Sequence, residues 1–436
     1  MFGLPMPPPT ALQLSADHFD IAEVVAPLPD DSVAGASELT TATPPRLHQT
    51  AEMKRLSTPW AVCLTRAEQL AQCRLADGIV LDPACGSGMQ LYAYCARLER
   101  PGLGIELDSD SALLAAANGK RVWDAHGGDW GAKTQVVFGD GTDAAAALAA
   151  AGLPDRPVAV LHVDPARPQD AQRHSLDEMQ PPLDELVGSW ADHLAEGPAG
   201  PAMVIDLSPR LSNAQREEVG EILGARWRDS PITWEWLSIG RGRIDRLTVW
   251  FGGAADPRSP ARMLRLLPDG SVVRFAGEPT TEKADHTTSP KSGQWLTIVD
   301  SALLSSGLQN QWLRKAISHR SESRWLRIDG RRPLLLTDTA LRMDDPSVAA
   351  FVSTTGEIQA QTKLPPNEAG IESILVSARS AYLARLTLRC TIAPGLQPIL
   401  QQALDKGLKI HPRGKQGFLI NAETLDGEGW FVCTEP

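Results

Sequence analysis

Four carboxylates stand at the ends of short apolar runs in the first half of the chain: Asp82, Glu106, Asp140 and Asp164. Asp82 leads into Pro83-Ala84-Cys85-Gly86-Ser87-Gly88 and then into a helical stretch over 89–98. A strand, a tight turn with two glycines and a helix bring backbone N–H groups toward a ligand at a helix N-terminus. The turn is not G-x-G-x-x-G, so it is not the dinucleotide fingerprint. Glu106 follows Asp82 by 24 residues, near the ~20-residue offset at which an acid reaches ribose hydroxyls. A carboxylate suits a vicinal diol because it accepts from both hydroxyls; Asp108 is the neighbour that could replace it. Asp140, with Gly141 behind it, can accept from an adenine amino group, and Asp82 can meet an amine directly or through water. Any one of these acids is equally an ordinary loop cap. Three of them on one sheet edge point to a nucleoside-type ligand.

The fourth acid belongs to Asp164-Pro165-Ala166-Arg167. A carboxylate at such a turn can accept hydrogens from an exocyclic amine, and the planar guanidinium of Arg167 can stack on a base. The alternative reading is an acid capping its own turn. A covalent route to pyrimidine C5 needs a nucleophilic thiol. The corresponding place after the next apolar run reads Asp206-Leu207-Ser208-Pro209, which disfavours that route.

Apolar runs over 79–82, 102–107, 134–138, 158–164 and 202–206 read as strands. Helical stretches over 89–98, 109–120, 142–151, 180–194 and 213–225 alternate with them. That alternation predicts a parallel sheet with helices on both faces. Two further strands, over 233–239 and 243–251, are joined by Gly240-Arg241-Gly242, a link so short that it demands an antiparallel hairpin. Ahead of the first strand, 64–71 reads as a helix with a Thr65/Glu68 capping box, able to close over the ligand. Residues 1–48, rich in Pro, Ala, Thr and Ser, read as a flexible extension with a short helix over 17–25. A second hairpin over 262–276 and a polar connector occupy 256–293. An α+β module fills 294–436, with helices over 300–318 and 396–406.

These features together resemble the class I S-adenosylmethionine (SAM) methyltransferases with a C-terminal THUMP-like domain. The resemblance runs from about residue 49 to the end. It is carried by Asp82-Pro83-Ala84-Cys85-Gly86-Ser87-Gly88, Leu64-Thr65 with Glu68-Gln69, Asp164 to Arg167, and Pro181-Pro182-Leu183-Asp184. Asp206-Leu207-Ser208-Pro209-Arg210, the Leu237 to Trp250 hairpin, Asp300 to Leu308 and Lys409-Ile410-His411-Pro412-Arg413-Gly414 extend it. The family has a second Arg where this chain has Pro168, and an extra Gly where it has Ala84-Cys85. In amino-methylating enzymes the turn at Asp164 is Asp/Asn-Pro-Pro-aromatic, so the aromatic platform is replaced here by Ala166-Arg167. The resemblance implies a Rossmann-like sheet with a methyltransferase domain over 49–255 and an RNA-associated domain over 294–436. It also implies SAM as cofactor, held by Asp82, Pro83, Ala84, Cys85, Gly86, Gly88, Glu106, Asp108, Asp140 and Gly141. Asp164, Pro165 and Arg167 then face a target base in tRNA or rRNA, and methylation falls on nitrogen.

The residues themselves carry a signal for RNA. Arg314, Lys315, Arg320, Arg324, Arg327, Arg331 and Arg332 crowd one segment against Glu322 and Asp329, with Trp312 and Trp325 interleaved. Cations that neutralise phosphate beside aromatics that stack on bases are what a single-strand binder needs. A solvated basic face with both Trp turned into the core is the competing reading. A second cluster, Lys406, Lys409, His411, Arg413 and Lys415, sits beside glycines that let phosphate approach the backbone.

Net charge is −11, against a surface coated in phosphate-binding residues. From Asp256 onward, however, 22 Lys and Arg oppose 19 Asp and Glu, leaving the acidity in the first part of the chain. Six cysteines without C-x-x-C or neighbouring His read as buried thiols in a reducing cytoplasm, and no metal site is implied. No apolar run approaches a membrane span, and no basic leader precedes one. A small-molecule methyltransferase, or an RNA-binding protein with a non-catalytic SAM-type domain, remain the alternative readings.

Overall fold

Runs of four to six apolar residues, too short to make a core helix, become strands covered on both faces. A computed structural model describes residues 57–166, 175–280 and 288–436, with 47–50, Met53 and the backbone of 12–14. The helix expected over 17–25 lies outside the described residues.

The first sheet comprises β1 (Leu12–Leu14), β2 (Ile79–Asp82), β3 (Gly102–Glu106), β4 (Gln135–Phe138), β5 (Val158–Val163) and β6 (Glu196–Gly197). It continues with β7 (Gly200–Leu207), β8 (Ile232–Gly240), β9 (Arg243–Gly252), β10 (Ala261–Leu266) and β11 (Val272–Gly277). Between them run α1 (Trp60–Ala71), α2 (Met89–Leu98), α3 (Ser109–His126), α4 (Ala144–Ala150), α5 (Leu183–Trp190) and α6 (Asn213–Gly224). The strand order is β1-β4-β3-β2-β5-β7-β9-β8-β10-β11, with β6 beside β7. Strands β4, β3, β2, β5 and β7 pair in parallel, as the alternation predicts. The order reverses at β2, which has β3 on one side and β5 on the other, and open α/β sheets bind ligands at such a switch point. The expected antiparallel hairpin is present, formed by β8 and β9. β9 inserts antiparallel between β7 and β8, so β8, folded back by the hairpin, runs with the parallel strands. Arg241 and Gly242 supply the two positive φ angles, 55° and 70°, that a tight two-residue turn of this hand requires.

The chain divides into two compact units. One holds residues 1–237, 246–262 and 266–272; the other holds 238–245, 263–265 and 273–436. In the first, α1, α2 and α3 bury a common core against Val80, Val136, Val160, Val204 and Trp250. Helix α1 starts earlier than expected. Trp60, Cys63, Leu64, Ala67 and Leu70 are all buried at helical spacing, so the helix begins behind Pro59 rather than at Thr65. Thr65 is mid-helix, its hydroxyl donating to the Ala61 carbonyl, and Glu68 pairs with Arg97 instead of capping. The helix expected over 180–194 shrinks to α5 because Pro181 and Pro182 hold the chain extended ahead of it.

The second unit is built on a sheet of β12 (Trp295–Val299), β13 (Ser323–Arg327), β14 (Leu334–Thr337), β15 (Val352–Thr362), β16 (Leu383–Leu388), β17 (Lys415–Thr424) and β18 (Gly427–Thr434). Helices α7 (Ser301–Ser305), α8 (Gln309–Ala316), α9 (Pro346–Ala349), α10 (Ile371–Ser380) and α11 (Gln397–Gly407) accompany it. The strand order is β13-β14-β12-β15-β18-β17-β16. Alternation of side chains splits its two faces. Phe418, Ile420, Phe431 and Cys433 join Leu296, Leu326 and Leu336 in one core. Leu419, Val432, Leu386 and Leu388 turn to the other face, against α10 and α11. The sheet is strongly curled: Arg327 on the β13 edge donates to the Asn421 carbonyl of β17 at 2.6 Å. The single helix expected over 300–318 is two, α7 and α8, separated at Gly307, whose φ of +73° no helix accommodates. Among the described residues no helix is long and apolar enough to cross a membrane.

Candidate active site

The turn after β2 is held by backbone and carboxylate together. The Cys85 amide donates to the Ile105 carbonyl at 3.0 Å, and the Gly88 amide donates to the Cys85 carbonyl at 2.8 Å. Gly88, at φ +75°, is the N-cap of α2. Glu106 closes the turn from the neighbouring strand: its Oε2 accepts from Gly86 N at 2.9 Å and its Oε1 from Asp108 N at 3.1 Å. Burial pushes the Glu106 carboxyl above the usual carboxylate range, with Asp82 and Asp108 adding to the effect of burial and the two amides opposing it. Asp108 caps α3 by accepting from Ser111 N at 2.8 Å. A Cβ on Gly86 would meet nothing within 4 Å, so the turn has open space above it. Leu107 is 67 % exposed beside Glu106.

Asp140 is exposed at the end of β4, its Oδ1 accepting from the amide and hydroxyl of Thr142. Behind it, Gly141 packs so closely on the β2 turn that a Cβ would lie 2.0 Å from the Pro83 carbonyl oxygen. The turns after β2 and β4 therefore meet backbone to backbone, and Trp190 fixes the contact by donating to the Gly141 carbonyl at 2.7 Å. Asn118 of α3 ties in the chain ahead of α1, donating to the carbonyls of Ser87 and His48, both at 2.9 Å.

Asp82 differs from the expectation. Its carboxylate is sealed from solvent, 2 % exposed. One oxygen lies 2.8 Å from His162 Nδ1 and the other accepts from the Ala84 amide at 3.3 Å. It orders the turn from beneath rather than presenting an acceptor to a ligand amine. Cys85 is also buried, and burial pushes its thiol well above the usual range.

His162 opens onto a buried polar array that follows from strand register. Val80 pairs with Val160, His162 with Val204 and Asp206 with Thr248. Side chains two residues apart share a face, so Asp82, His162, Asp206, Thr248 and Arg246 fall on the face that α1 covers. Arg66 descends from α1 and grips Asp206 with two parallel bonds of 2.9 and 3.0 Å. Its Nε reaches Glu235 at 3.3 Å, and Glu235 pairs with Arg262 at 2.6 Å. Arg246 Nη1 bonds Thr58 at 2.6 Å, Asp164 at 2.6 Å and Asp206 at 3.3 Å. Thr248 hydrogen-bonds Arg66 and Asp206. Four acids thus face Arg66, Arg246, Arg262 and His162. Burial opposes ionisation of Asp206, but Arg66, with His162 and Arg246, holds its carboxyl well below the usual range. Burial likewise opposes charge on His162, yet Asp82 and Asp206 outweigh it and the imidazole is pushed up to about 9. Tyr94 packs edge-on against that ring at 5.5 Å.

Asp164 reaches the edge of this array. Its side chain remains 28 % exposed while pairing with Arg246. Pro165 is buried, and Ala166 exchanges both backbone bonds with Gln180, which anchors the turn. Arg167 lies outside the described residues. Sequence reading missed His162, Asp206, Arg66 and Arg246. For His162 and Asp206 the signal was a polar or charged residue inside an otherwise apolar strand, as in Val-Leu-His-Val and Val-Ile-Asp-Leu.

Of the residues expected to meet RNA, Arg314, Lys315, Arg320, Arg324, Arg331, Arg332, Lys409 and Arg413 are exposed. Arg324 pairs with Glu322 at 3.3 Å. Trp325 is a correction: at 7 % exposure it belongs to the interior of the second unit, as Trp312 does, and neither offers a face to a base. An outward face at a strand position cannot be read from residue type when the strand is curled inside its own sheet. Arg327 commits its guanidinium to the Asn421 carbonyl.

No protein-family model and no curated protein matches the chain. Among solved structures, a putative methyltransferase from Porphyromonas gingivalis W83 is similar over 88 % of this chain and 83 % of its own, with 16 % identity and a TM-score of 0.56. A putative class I S-adenosylmethionine-dependent methyltransferase from Listeria monocytogenes is similar over 46 % of this chain and 61 % of its own, with 14 % identity and a TM-score of 0.30. An rRNA methylase from Streptococcus thermophilus covers 43 % and 94 %, at 13 % identity and a TM-score of 0.29. The chain shares its fold with the Porphyromonas gingivalis structure.

Proposed function

We propose that the protein is a SAM-dependent methyltransferase that modifies a base nitrogen in RNA. The observation that carries the reading is Glu106 locked on the Gly86 amide beside open space, with exposed Leu107 next to it. The fit to the cofactor is chemical: Glu106 accepts from a ribose diol, Leu107 gives an apolar wall to a purine, and Asp140 accepts from its amino group. Bound there, SAM supplies an electrophilic methyl on sulfonium sulfur. Asp164, one strand away across the switch point, accepts a hydrogen from the attacking amine and orients its lone pair. With the cofactor bound, Asp164 would hold the nitrogen with its lone pair toward that methyl, and the amine proton would pass to solvent. Positioning rather than acid–base strength supplies most of the rate in such a transfer. Exposed cations of the second unit, with the less acidic balance of the chain beyond Asp256, support RNA over a small metabolite.

Transfer from labelled SAM to total tRNA and rRNA tests this reading. The expected result is label in RNA, lost in Asp164→Ala. Label only in small metabolites, or RNA retained without label, would overturn it. Saturating SAM at 100 times its Kd is expected to stabilise the fold by about 2.7 kcal/mol; an unchanged melting temperature would remove the cofactor assignment.

A further inference from the structure

We propose that the β16 edge of the second sheet binds single-stranded RNA, with the Tyr382 ring as its base-stacking platform. This deepens the preceding reading and rests on it for the class of ligand.

Tyr382 follows α10 and precedes β16, and it adopts a left-handed φ of +55°. That position after a helix C-cap is where glycine is usual, and a side chain with a Cβ is strained there. The backbone holds it all the same: Tyr382 N donates to the Arg379 carbonyl at 2.9 Å, and Lys415 N donates to the Tyr382 carbonyl at 3.1 Å. The strain is not offset by core packing, because the side chain is left 56 % exposed. One partner orients the ring: His411, with centroids 4.6 Å apart. Ile410 beside it is 63 % exposed. An aromatic fixed outward on a strained backbone is a surface for a flat ligand.

The charges around it choose the ligand. Lys406, Lys409, Arg413 and Lys415 are exposed in a ten-residue segment that holds no acid. Gly414 presses so closely on Tyr382 that a Cβ would sit 2.4 Å from the Tyr382 carbonyl oxygen, which brings this basic loop to the ring. β16 ends the strand order of its sheet. Arg385 on the strand and Arg389 just beyond it are exposed, and Arg332 donates to the Arg389 carbonyl. From Tyr382 to Arg389 the chain rises roughly 23 Å, a length suited to a few nucleotides. The acids nearby are engaged: Asp405 accepts from Gln401 and Glu428 from Asn421. A stacking face at one end of a basic track is the arrangement single strands use.

The test is fluorescence titration of the full chain, without SAM, against a labelled 12-nucleotide single-stranded RNA at several salt concentrations. Tyr382→Gly removes the ring and relieves the backbone, so the fold is retained, and affinity is expected to fall about 10-fold. Tyr382→Trp is expected to restore it. Lys409→Ala with Arg413→Ala is expected to flatten the slope of log K against log salt by about 1.4. Unchanged affinity in Tyr382→Gly, or a peptide strand bound on this edge in place of RNA, overturns the proposal. Label transfer measured in parallel separates the two readings. Binding that follows Tyr382 without transfer sinks the enzyme alone, and transfer indifferent to Tyr382 sinks this site alone.

Discussion

His162 Nδ1 lies 2.8 Å from Asp82 Oδ2, with neither side chain more than 3 % exposed. The pair sits on adjacent strands at the switch point, one residue below the turn expected to hold the cofactor and two below Asp164. An imidazole between Asp82 and Asp206 links the two turns through strand ends rather than through a loop. The same pair makes stability depend on pH.

His162 is pushed up to about 9 in the fold, against about 6.5 in an unfolded chain. Its stabilising contribution is therefore complete below pH 6.5 and is lost as pH rises through 9. A shift of that size corresponds to about 3 kcal/mol, of which about 2 kcal/mol disappears between pH 7 and 8.5. The other histidines with shifted values lie outside this window. His48 and His126 are lowered by burial, so their effect is confined below pH 6.5. Cys63, Cys85, Cys95, Cys390 and Cys433, all pushed up by burial, add a loss of the same sign as unfolded thiols begin to ionise at about pH 8.5, so the difference between the native chain and His162→Gln isolates the imidazole. Stability to urea is expected to fall from pH 7 to 8.5 in the native chain and to fall less steeply in His162→Gln. An equal slope in both would remove the ionised pair.

Arg66 bridges α1 to β7 and β8 through Asp206 and Glu235, with every partner fully buried. Removing it leaves carboxylates without their guanidinium in a low-dielectric interior, a loss of about 3–5 kcal/mol for a broken buried pair. Arg66→Ala is expected to lower the urea midpoint accordingly and to loosen α1. A loss under about 1 kcal/mol would mean that water or a neighbouring cation substitutes for it.

The parallel sheet and its glycine turn were legible because strand and helix periods differ and because Gly86 and Gly88 follow an acid at once. Asp82, Glu106 and Asp140 were legible as strand-end acids, but which oxygen faces what was not. That depends on the residue opposite, and His162 meets Asp82 only because β2 and β5 are neighbours in space. Arg66 was invisible for the same reason: a charge on the apolar side of a helix is costly until its partner 140 residues away is known. Trp325 misled because aromatics among cations signal stacking only when they face solvent. Tyr382, which does, lies outside the basic run that drew attention to Trp325.

Gly141 and Gly86 separate what the fold needs from what the ligand needs. Gly141 has no positive φ, so alanine there is strained only by contact, and its Cβ would lie 2.0 Å from the Pro83 carbonyl oxygen. A backbone oxygen cannot rotate away, and one of the two turns must shift. Gly141→Ala is expected to cost about 1–3 kcal/mol by overpacking. Gly86 is the converse: at φ +53° its alanine variant incurs only the left-handed penalty, about 1–2 kcal/mol, and meets no atom within 4 Å. If SAM lies over that turn, the added methyl occupies its space. Gly86→Ala is then expected to weaken SAM at least 10-fold in calorimetric titration, while losing no more stability to urea than the left-handed penalty of about 1–2 kcal/mol. Native-like SAM affinity in Gly86→Ala would show that the ligand does not lie over the β2 turn, whatever the strand-end acids suggest.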